Sequence, residues 1–398
     1  MSDPFLLDLS HTSHTRARTG IQRVTRSLLH ALGRDAFAIT HDPYLATWRA
    51  LELWENKNLT VEATTTKRSA AWPLSAKLRG VTRRWFGAST SGRPAVSALP
   101  ASSGLIVPEV FTPATAAALP ALFAATPGPR IAVFHDAIAL KSPELSPAGT
   151  VARFPAYLVE LLAFDGVAAV SEDSRDSLRD YWRWLGVAHP PATHAIPLGV
   201  DLPSITNVGP RSPASSLPSV LSVGTLEGRK NHLALLDACE RLWSDGVQFE
   251  LHLIGHAQPQ TGRAALERLR ALQSLGRPLR YNGPASESDL ANAYRDCAFT
   301  VYPSLTEGFG LPVIESLAHG KPCVCSARGA LGESARGGGC VALDAVDATH
   351  LADALRHLLA HPAEIATLAA AARARKFRTW SDYAADITGW MRSLKRHP

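Results

Sequence analysis

The chain is poor in cysteine and has no long apolar run, and each absence narrows its class. Its five cysteines, Cys239, Cys297, Cys323, Cys325 and Cys340, all lie in the second half of the 398 residues. An odd number without framework spacing argues against a secreted disulfide scaffold. Cys323 and Cys325 stand one residue apart with no partner pair, so they read as buried strand cysteines in preference to zinc ligands. No stretch approaches the roughly 18 apolar residues that span a bilayer. The nearest, 156–170, is interrupted by Glu160 and Asp165. The opening residues Met1 to Asp8 are too short and too acidic for a secretory leader. The expected location is the cytoplasm.

Several phosphate and metal motifs are missing as well. No Asp-x-Asp pair occurs, so a metal-chelated diphosphate has no evident ligand set. Gly308-x-Gly310 is followed by Val313, which breaks the dinucleotide fingerprint, and Gly224 to Arg229 does not fit a Walker loop. No nucleic-acid module is visible. Neither a metal nor a cofactor is expected.

What is present is a soluble globular composition, 46% apolar and 19% charged. The length suits two domains. Net charge is +6 and the isoelectric point about 9.2, which points to an anionic partner. The charge is uneven: 67–93 holds seven basic residues and no acidic one. Within it Leu74, Leu78, Val81 and Trp85 recur at helical spacing, with Lys77, Arg79, Arg83 and Arg84 at other positions. Two readings stay open. One is a basic interfacial helix that makes peripheral contact with the inner face of the cytoplasmic membrane; the other is a solvated helix packed on its domain.

Both halves alternate short apolar runs with helical patterns. In the first, strands are expected at 5–9, 104–107, 130–134 and 166–170, and helices at 20–32, 147–163 and 172–185; the run 195–200 closes this half. A Pro- and Ser-rich linker, 201–218, marks the boundary. In the second, strands are expected at 220–223, 249–254, 279–281, 298–302, 323–325 and 340–343, with helices such as 231–243 and 262–275 between them. This alternation predicts an α/β protein of two parallel, doubly wound sheets. Ligands bind such sheets at the carboxyl ends of the strands.

The most informative segment is Ser304-Leu-Thr-Glu-Gly-Phe-Gly-Leu-Pro-Val-Ile-Glu315. A strand should precede it, and a helix should begin near Leu311 with Pro312 in its first turn. Glu307 then lies in the loop, and Glu315 about one turn into the helix. Gly308 and Gly310 allow close backbone approach to a ligand, and free amides at the helix start attract anions. Anion-binding amides beside two hydroxyl-seeking carboxylates suit a nucleotide sugar. Arg229 and Lys230 sit just beyond the first strand of the same half, where paired cations would neutralise a diphosphate.

In the first half, His135 and Asp136 follow a strand and face the expected cleft. Asp136 can also cap the next segment. The loop 10–19 leads to Gly20, where a helix opens and its amides can meet a diphosphate from the other side; Arg18 and Thr19 are candidates with it. Ser171 reads first as a helix N-cap and second as an acceptor contact.

On Glu307-x7-Glu315, on Gly224-Thr-Leu-Glu-Gly-Arg-Lys-Asn231 and on the layout of nearly the whole chain, the sequence resembles the family-4 retaining glycosyltransferases. Gly228 departs from the proline that many members carry before the Arg-Lys pair. The resemblance implies a GT-B fold: two Rossmann-like domains, 1–200 and 201–375, face each other across a cleft. The tail, 376–398, returns to the first domain, with Trp380, Tyr383, Ile387 and Trp390 as its packing face. It implies that Glu315 holds the nucleotide ribose and that Glu307 holds the transferred sugar. Phe309, Gly310 and Leu311 then line the sugar and diphosphate, with Gly308 and Thr225 among the donor contacts. Arg229 and Lys230 bind the diphosphate, and His135 contacts the sugar near the reacting carbon. It further implies metal-independent, retaining transfer by front-face attack, the leaving diphosphate taking the acceptor proton. GDP-mannose is the first expectation for the donor, with UDP- and dTDP-sugars open. The expected acceptor is a glycan or lipid-linked glycan of bacterial polysaccharide synthesis. Two rivals are a sugar-nucleotide epimerase of the same shape and a non-catalytic nucleotide-sugar-binding subunit.

Overall fold

Apolar runs followed by amphipathic helices build two sheets in the computed structural model, which describes residues 3–17, 20–60, 71–86, 95–96, 99–202 and 217–395. The first sheet comprises β1 (Phe5–Asp8), β2 (Ala36–Asp42), β3 (Thr47–Ala50), β4 (Ala95–Val96), β5 (Gly104–Val107), β6 (Arg130–Phe134), β7 (Gly166–Ala169) and β8 (Ala192–Ala195). Their spatial order is β4-β3-β2-β1-β5-β6-β7-β8. All neighbours run parallel except β2 and β3. The second sheet comprises β9 (Ser219–Val223), β10 (Glu250–Ile254), β11 (Leu279–Asn282), β12 (Phe299–Tyr302), β13 (Cys323–Ser326) and β14 (Cys340–Leu343). It is parallel throughout, in the order β11-β10-β9-β12-β13-β14.

The second order is that of a Rossmann sheet, in which strand order reverses between β9 and β12. Connections on the two sides of that point leave for opposite faces and open a crevice. The first sheet reverses in the same way between β1 and β5. The protein is therefore a GT-B-type pair of Rossmann-like domains.

Strands buried on both faces explain the continuous apolar runs: β1, β5, β7, β12 and β13 have no exposed residue. Cys323 and Cys325 lie buried in β13 as free thiols. The helix Trp380–Ser393 closes the chain on the first domain. Its Trp380, Tyr383, Ile387 and Met391 are buried in one cluster with Leu7, Val24, Leu28, Ile106 and Ile131, and Trp390 packs at the rim. A capping box at Thr379 and Asp382 starts it.

Only the first residue of the run 195–200 belongs to a strand. The strand is β8, which ends at Ala195. Ile196, Leu198 and Val200 are apolar because they lie beneath the returning tail. Val200 donates its backbone N–H to Arg378 O at 2.9 Å. A Cβ on Gly199 would stand 2.5 Å from the backbone of Thr379. Most of the linker 201–218 lies outside the described residues.

The basic segment also differs from one of its two readings. A helix does form, Leu74–Phe86. It is anchored by buried Ala76 and by an ion pair of 2.7 Å from Arg79 to Glu52. Its apolar stripe, however, does not pack on the domain: Leu74 is 76% exposed, Leu78 62% and Val81 51%. The side chains of 82–86, and the remainder of 67–93 outside the helix and β4, lie outside the described residues.

Candidate donor site at the facing switch points

The loops at the β9 and β12 ends meet where the second sheet reverses. After β9 the chain passes Thr225, which is half-buried, and makes a 3-10 turn at Gly228–Lys230. Asn231 follows in the left-handed region, φ 56°, held by its side-chain bond to Val346 O at 2.7 Å. That conformation aims Arg229 and Lys230 toward the β12 loop, and Leu305 N–H donates to Arg229 O at 2.8 Å to lock the two loops together.

Glu307 sits inside a cage of donors. Lys230 Nζ lies 2.6 Å from Oε1 and Arg229 2.6 Å from Oε2. Tyr302 donates its hydroxyl to Oε1 at 2.9 Å and also touches Lys230 Nζ. Arg229 makes a second pair with Glu227 at 2.7 Å. Burial alone would raise the Glu307 carboxyl, but Lys230 and Arg229 outweigh it and hold its pKa down to about 2. Burial pulls Lys230 below the usual lysine range, with Glu307 opposing the shift. The three residues form a charged, largely buried ion cluster.

The helix Leu311–Ala318 begins after Gly310, whose φ of 93° requires glycine; an added Cβ would also stand 2.9 Å from Leu331. Pro312 falls in its first turn, as expected. Glu315 is buried on the inner side of this helix, only 7% exposed. Burial pushes its carboxyl above the usual range, and Arg23 offsets part of that. Arg23 comes from the other domain, on the helix Gly20–Leu32. It ion-pairs with Glu315 and, at 2.9 Å, with Asp201.

The first domain touches this loop directly. An added Cβ on Gly308 would stand 2.1 Å from His135 O. Ser174 Oγ bridges the two domains, at 3.0 Å from His135 O and 3.2 Å from Gly308 O. Phe309 and Leu311 pack against the apolar cluster of the first domain. His135 is buried and donates Nε2–H to Pro108 O at 2.8 Å; burial lowers its pKa, so the ring is neutral at physiological pH. Asp136 accepts from Ile138 N–H at 3.0 Å, but the cap position of that helix is Ala137, so Asp136 is not its N-cap. Ser171 caps the helix Glu172–Trp184 through Ser174 N–H. The next two amides of that helix, at Glu172 and Asp173, donate to Glu333 of the second domain at 2.9 and 2.7 Å.

Gly20 is the first residue of its helix, exposed and with open space beside its Cα. Arg18 and Thr19 lie outside the described residues. The loop before them is pinned by Glu109 at the end of β5, which accepts from the backbone of His11 and Thr12 at 2.9 Å each.

The structure thus brings Arg229, Lys230 and Glu307 into contact and sets Gly308 against His135. Sequence reasoning missed Tyr302, Arg23, Ser174 and Glu333. Tyr302 ends β12, two residues before the glutamate segment, where a polar tip on a buried aromatic was its only signal. Among the described residues, no group of three or more His, Cys, Asp or Glu is placed to hold a metal ion, and no helix is long and apolar enough to cross a membrane.

A reversed-order parallel sheet faced by a second such sheet is the GT-B arrangement, and Arg229, Lys230 and Glu307 cluster at its switch point. The model of the glycosyl transferases group 1 family matches residues 217–361, the domain that carries both glutamates and both cations. The chain belongs to that family. It is 30% identical over 269 residues to the O-antigen chain mannosyltransferase B of Escherichia coli, covering 63% of this chain and 67% of that one. It is 28% identical over 341 residues to the serotype-specific mannosyltransferase WbdA of the same organism, covering 80% of this chain. The chain spans only 38% of the length of WbdA. Among solved structures, sucrose-phosphate synthase from Thermosynechococcus elongatus matches with a TM-score of 0.67, 22% identity and 98% coverage of both chains. The Anabaena HepE protein in complex with UDP and glucose matches with a TM-score of 0.68, 15% identity, and coverage of 98% of this chain and 100% of that one. These two likenesses concern the fold.

Proposed function

We propose that the protein is a retaining glycosyltransferase that moves a sugar from a nucleoside diphosphate to a hydroxyl of a glycan or lipid-linked glycan. The observation that carries this reading is the clamp of Arg229 and Lys230 on Glu307 at the β9/β12 switch point. In the free protein these cations neutralise Glu307. A bound donor offers them its diphosphate and offers Glu307 its sugar hydroxyls, while the ribose diol meets Glu315. Gly308, Phe309, Gly310 and Leu311 supply the close backbone, and Gly20 opens its helix toward the diphosphate.

Glu307 is a poor nucleophile and a poor base, being doubly ion-paired and held at a pKa of about 2. His135 is neutral, with Nε2–H committed to Pro108 O. Front-face attack fits these constraints. The bond from the anomeric carbon to the leaving diphosphate breaks. The acceptor oxygen bonds to that carbon on the same face, and its proton passes to a leaving diphosphate oxygen. Arg229 and Lys230 stabilise the charge that develops there, so the reaction is metal-independent. Two of the relatives are named as mannosyltransferases, one of an O-antigen chain, which supports GDP-mannose as the first donor to test and an O-antigen glycan as the acceptor. Thermal-shift screening with GDP, UDP, dTDP and ADP, followed by turnover assays of the corresponding sugars with and without EDTA, tests this. The expected result is stabilisation by GDP and EDTA-resistant mannose transfer. Donor release only after added magnesium would sink the metal-free mechanism, and no stabilisation by any nucleotide would sink the site.

The outward stripe of Leu74, Leu78 and Val81 beside exposed Lys77 and Arg79 supports peripheral contact with an anionic bilayer from the cytoplasmic side. Co-sedimentation with vesicles containing phosphatidylglycerol should fall in a Leu74→Asp/Leu78→Asp double variant. Equal pelleting of the variant and wild type would remove the idea.

A further inference from the structure

We propose that Arg23 is a displaceable third cation of the donor site: it occupies the ribose carboxylate in the free protein and is handed to the diphosphate when the nucleotide binds. This rests on the donor reading above. The observation is the pair itself. Arg23 projects from the first domain across the cleft, and its guanidinium is shared between Glu315 and Asp201, the latter at 2.9 Å.

Each of three described cations is paired in the free protein. Arg229 is shared by Glu227 and Glu307, Lys230 is on Glu307, and Arg23 is on Glu315 and Asp201. A ribose diol that hydrogen-bonds Glu315 takes the acceptor oxygen now used by Arg23. The guanidinium then loses its buried partner while the nucleotide brings a diphosphate into the same cleft. Arg23 stands about one helical turn after Gly20, which opens that helix with free space beside its Cα, where the donor reading puts the diphosphate. Side chains of an α-helix tilt toward its N-terminus, so Arg23 leans toward the end where the phosphates lie. Its planar fork suits a phosphate as well as a carboxylate. The exchange therefore trades one charge-assisted contact for another, and only a ligand bearing both ribose and diphosphate completes it.

A nucleoside without phosphate must break the Arg23–Glu315 pair and offers the freed cation nothing. The distinguishing measurement is the ratio of affinities for GDP and guanosine, and for UDP and uridine, by calorimetry on the whole chain. In Arg23→Ala, diphosphate binding should weaken by about tenfold or more, the size of one lost charge-assisted contact. Nucleoside binding should hold or tighten, because Glu315 is no longer occupied. The diphosphate-to-nucleoside ratio therefore collapses, which a merely structural role would not produce. Arg23→Lys keeps one charge and should retain a ratio nearer wild type; it serves if the alanine variant folds poorly. A ratio unchanged from wild type in both variants overturns the exchange while leaving the donor reading intact. Failure of the wild-type chain to bind any nucleoside diphosphate overturns both.

Discussion

Lys230→Ala is expected to lower transfer by roughly 10²–10³-fold, the cost of removing one preorganised donor to a developing oxyanion. Lys230 is buried between Tyr302 and Glu307, and its ammonium lies 4.7 Å from the centroid of the Tyr302 ring. Its loss still leaves Glu307 paired through the other oxygen to Arg229. The carboxylate stays ionised, so the variant should fold. On the proposed mechanism, the charge that Lys230 neutralises is largest when the diphosphate departs. The loss should therefore fall on kcat more than on KM. Lys230→Met is the control, because it keeps the apolar stem and removes only the ammonium. Both variants should lose turnover alike while keeping their melting transition. Near-normal turnover by the methionine variant would show that the ammonium has no part in leaving-group departure.

Gly308→Ala should be nearly as severe, for a steric reason. The added Cβ would stand 2.1 Å from His135 O and 3.2 Å from the Asp136 side chain. The carbonyl cannot swing aside cheaply, because Ser174 Oγ ties it to the Gly308 carbonyl across the same gap. Relief requires the two domains to part by about 1 Å, a misplacement that costs on the order of 10²-fold in rate. Nucleotide affinity should fall far less than turnover, since Arg229, Lys230 and Glu315 share the second domain and the backbone amide of residue 308 remains, while only Arg23 and Gly20 reach in from the first. Turnover and nucleotide binding should therefore separate. Wild-type turnover in this variant would mean that the observed contact between domains is not the reacting arrangement.

The second domain was readable from sequence because its information is local. Parallel strands buried on both faces appear as unbroken apolar runs, and the Arg229-Lys230 and Glu307–Glu315 segments each follow one strand. The antiparallel edge of the first domain was not readable. β2 and β3 carry His41, Asp42 and Arg49, a pattern that looks solvated. Asp42 and Arg49 are buried by satisfying one another, Arg49 lying 3.1 Å from Asp42 and 2.7 Å from Glu55, while the His41 ring packs on Trp48. The alanine-rich helix Pro113–Ala125 was hidden by Pro120 within it. Contacts across the cleft were equally silent. Arg23 and Glu315 lie 292 positions apart, and Ser174 and Gly308 lie 134 apart. No period or spacing links residues at such separations; only the meeting of two folded domains does.

The returning helix Trp380–Ser393 imposes an order on biogenesis. The first domain emerges from the ribosome with Leu7, Val24, Leu28 and Ile131 lacking the Tyr383, Ile387 and Met391 that cover them. Translation from Val200 to Met391 takes roughly 10–40 s at about 5–20 residues per second. Throughout that interval the nascent first half carries an unfinished apolar face, one that chaperones can engage. Completion of the first domain's core is thus coupled to completion of the second domain.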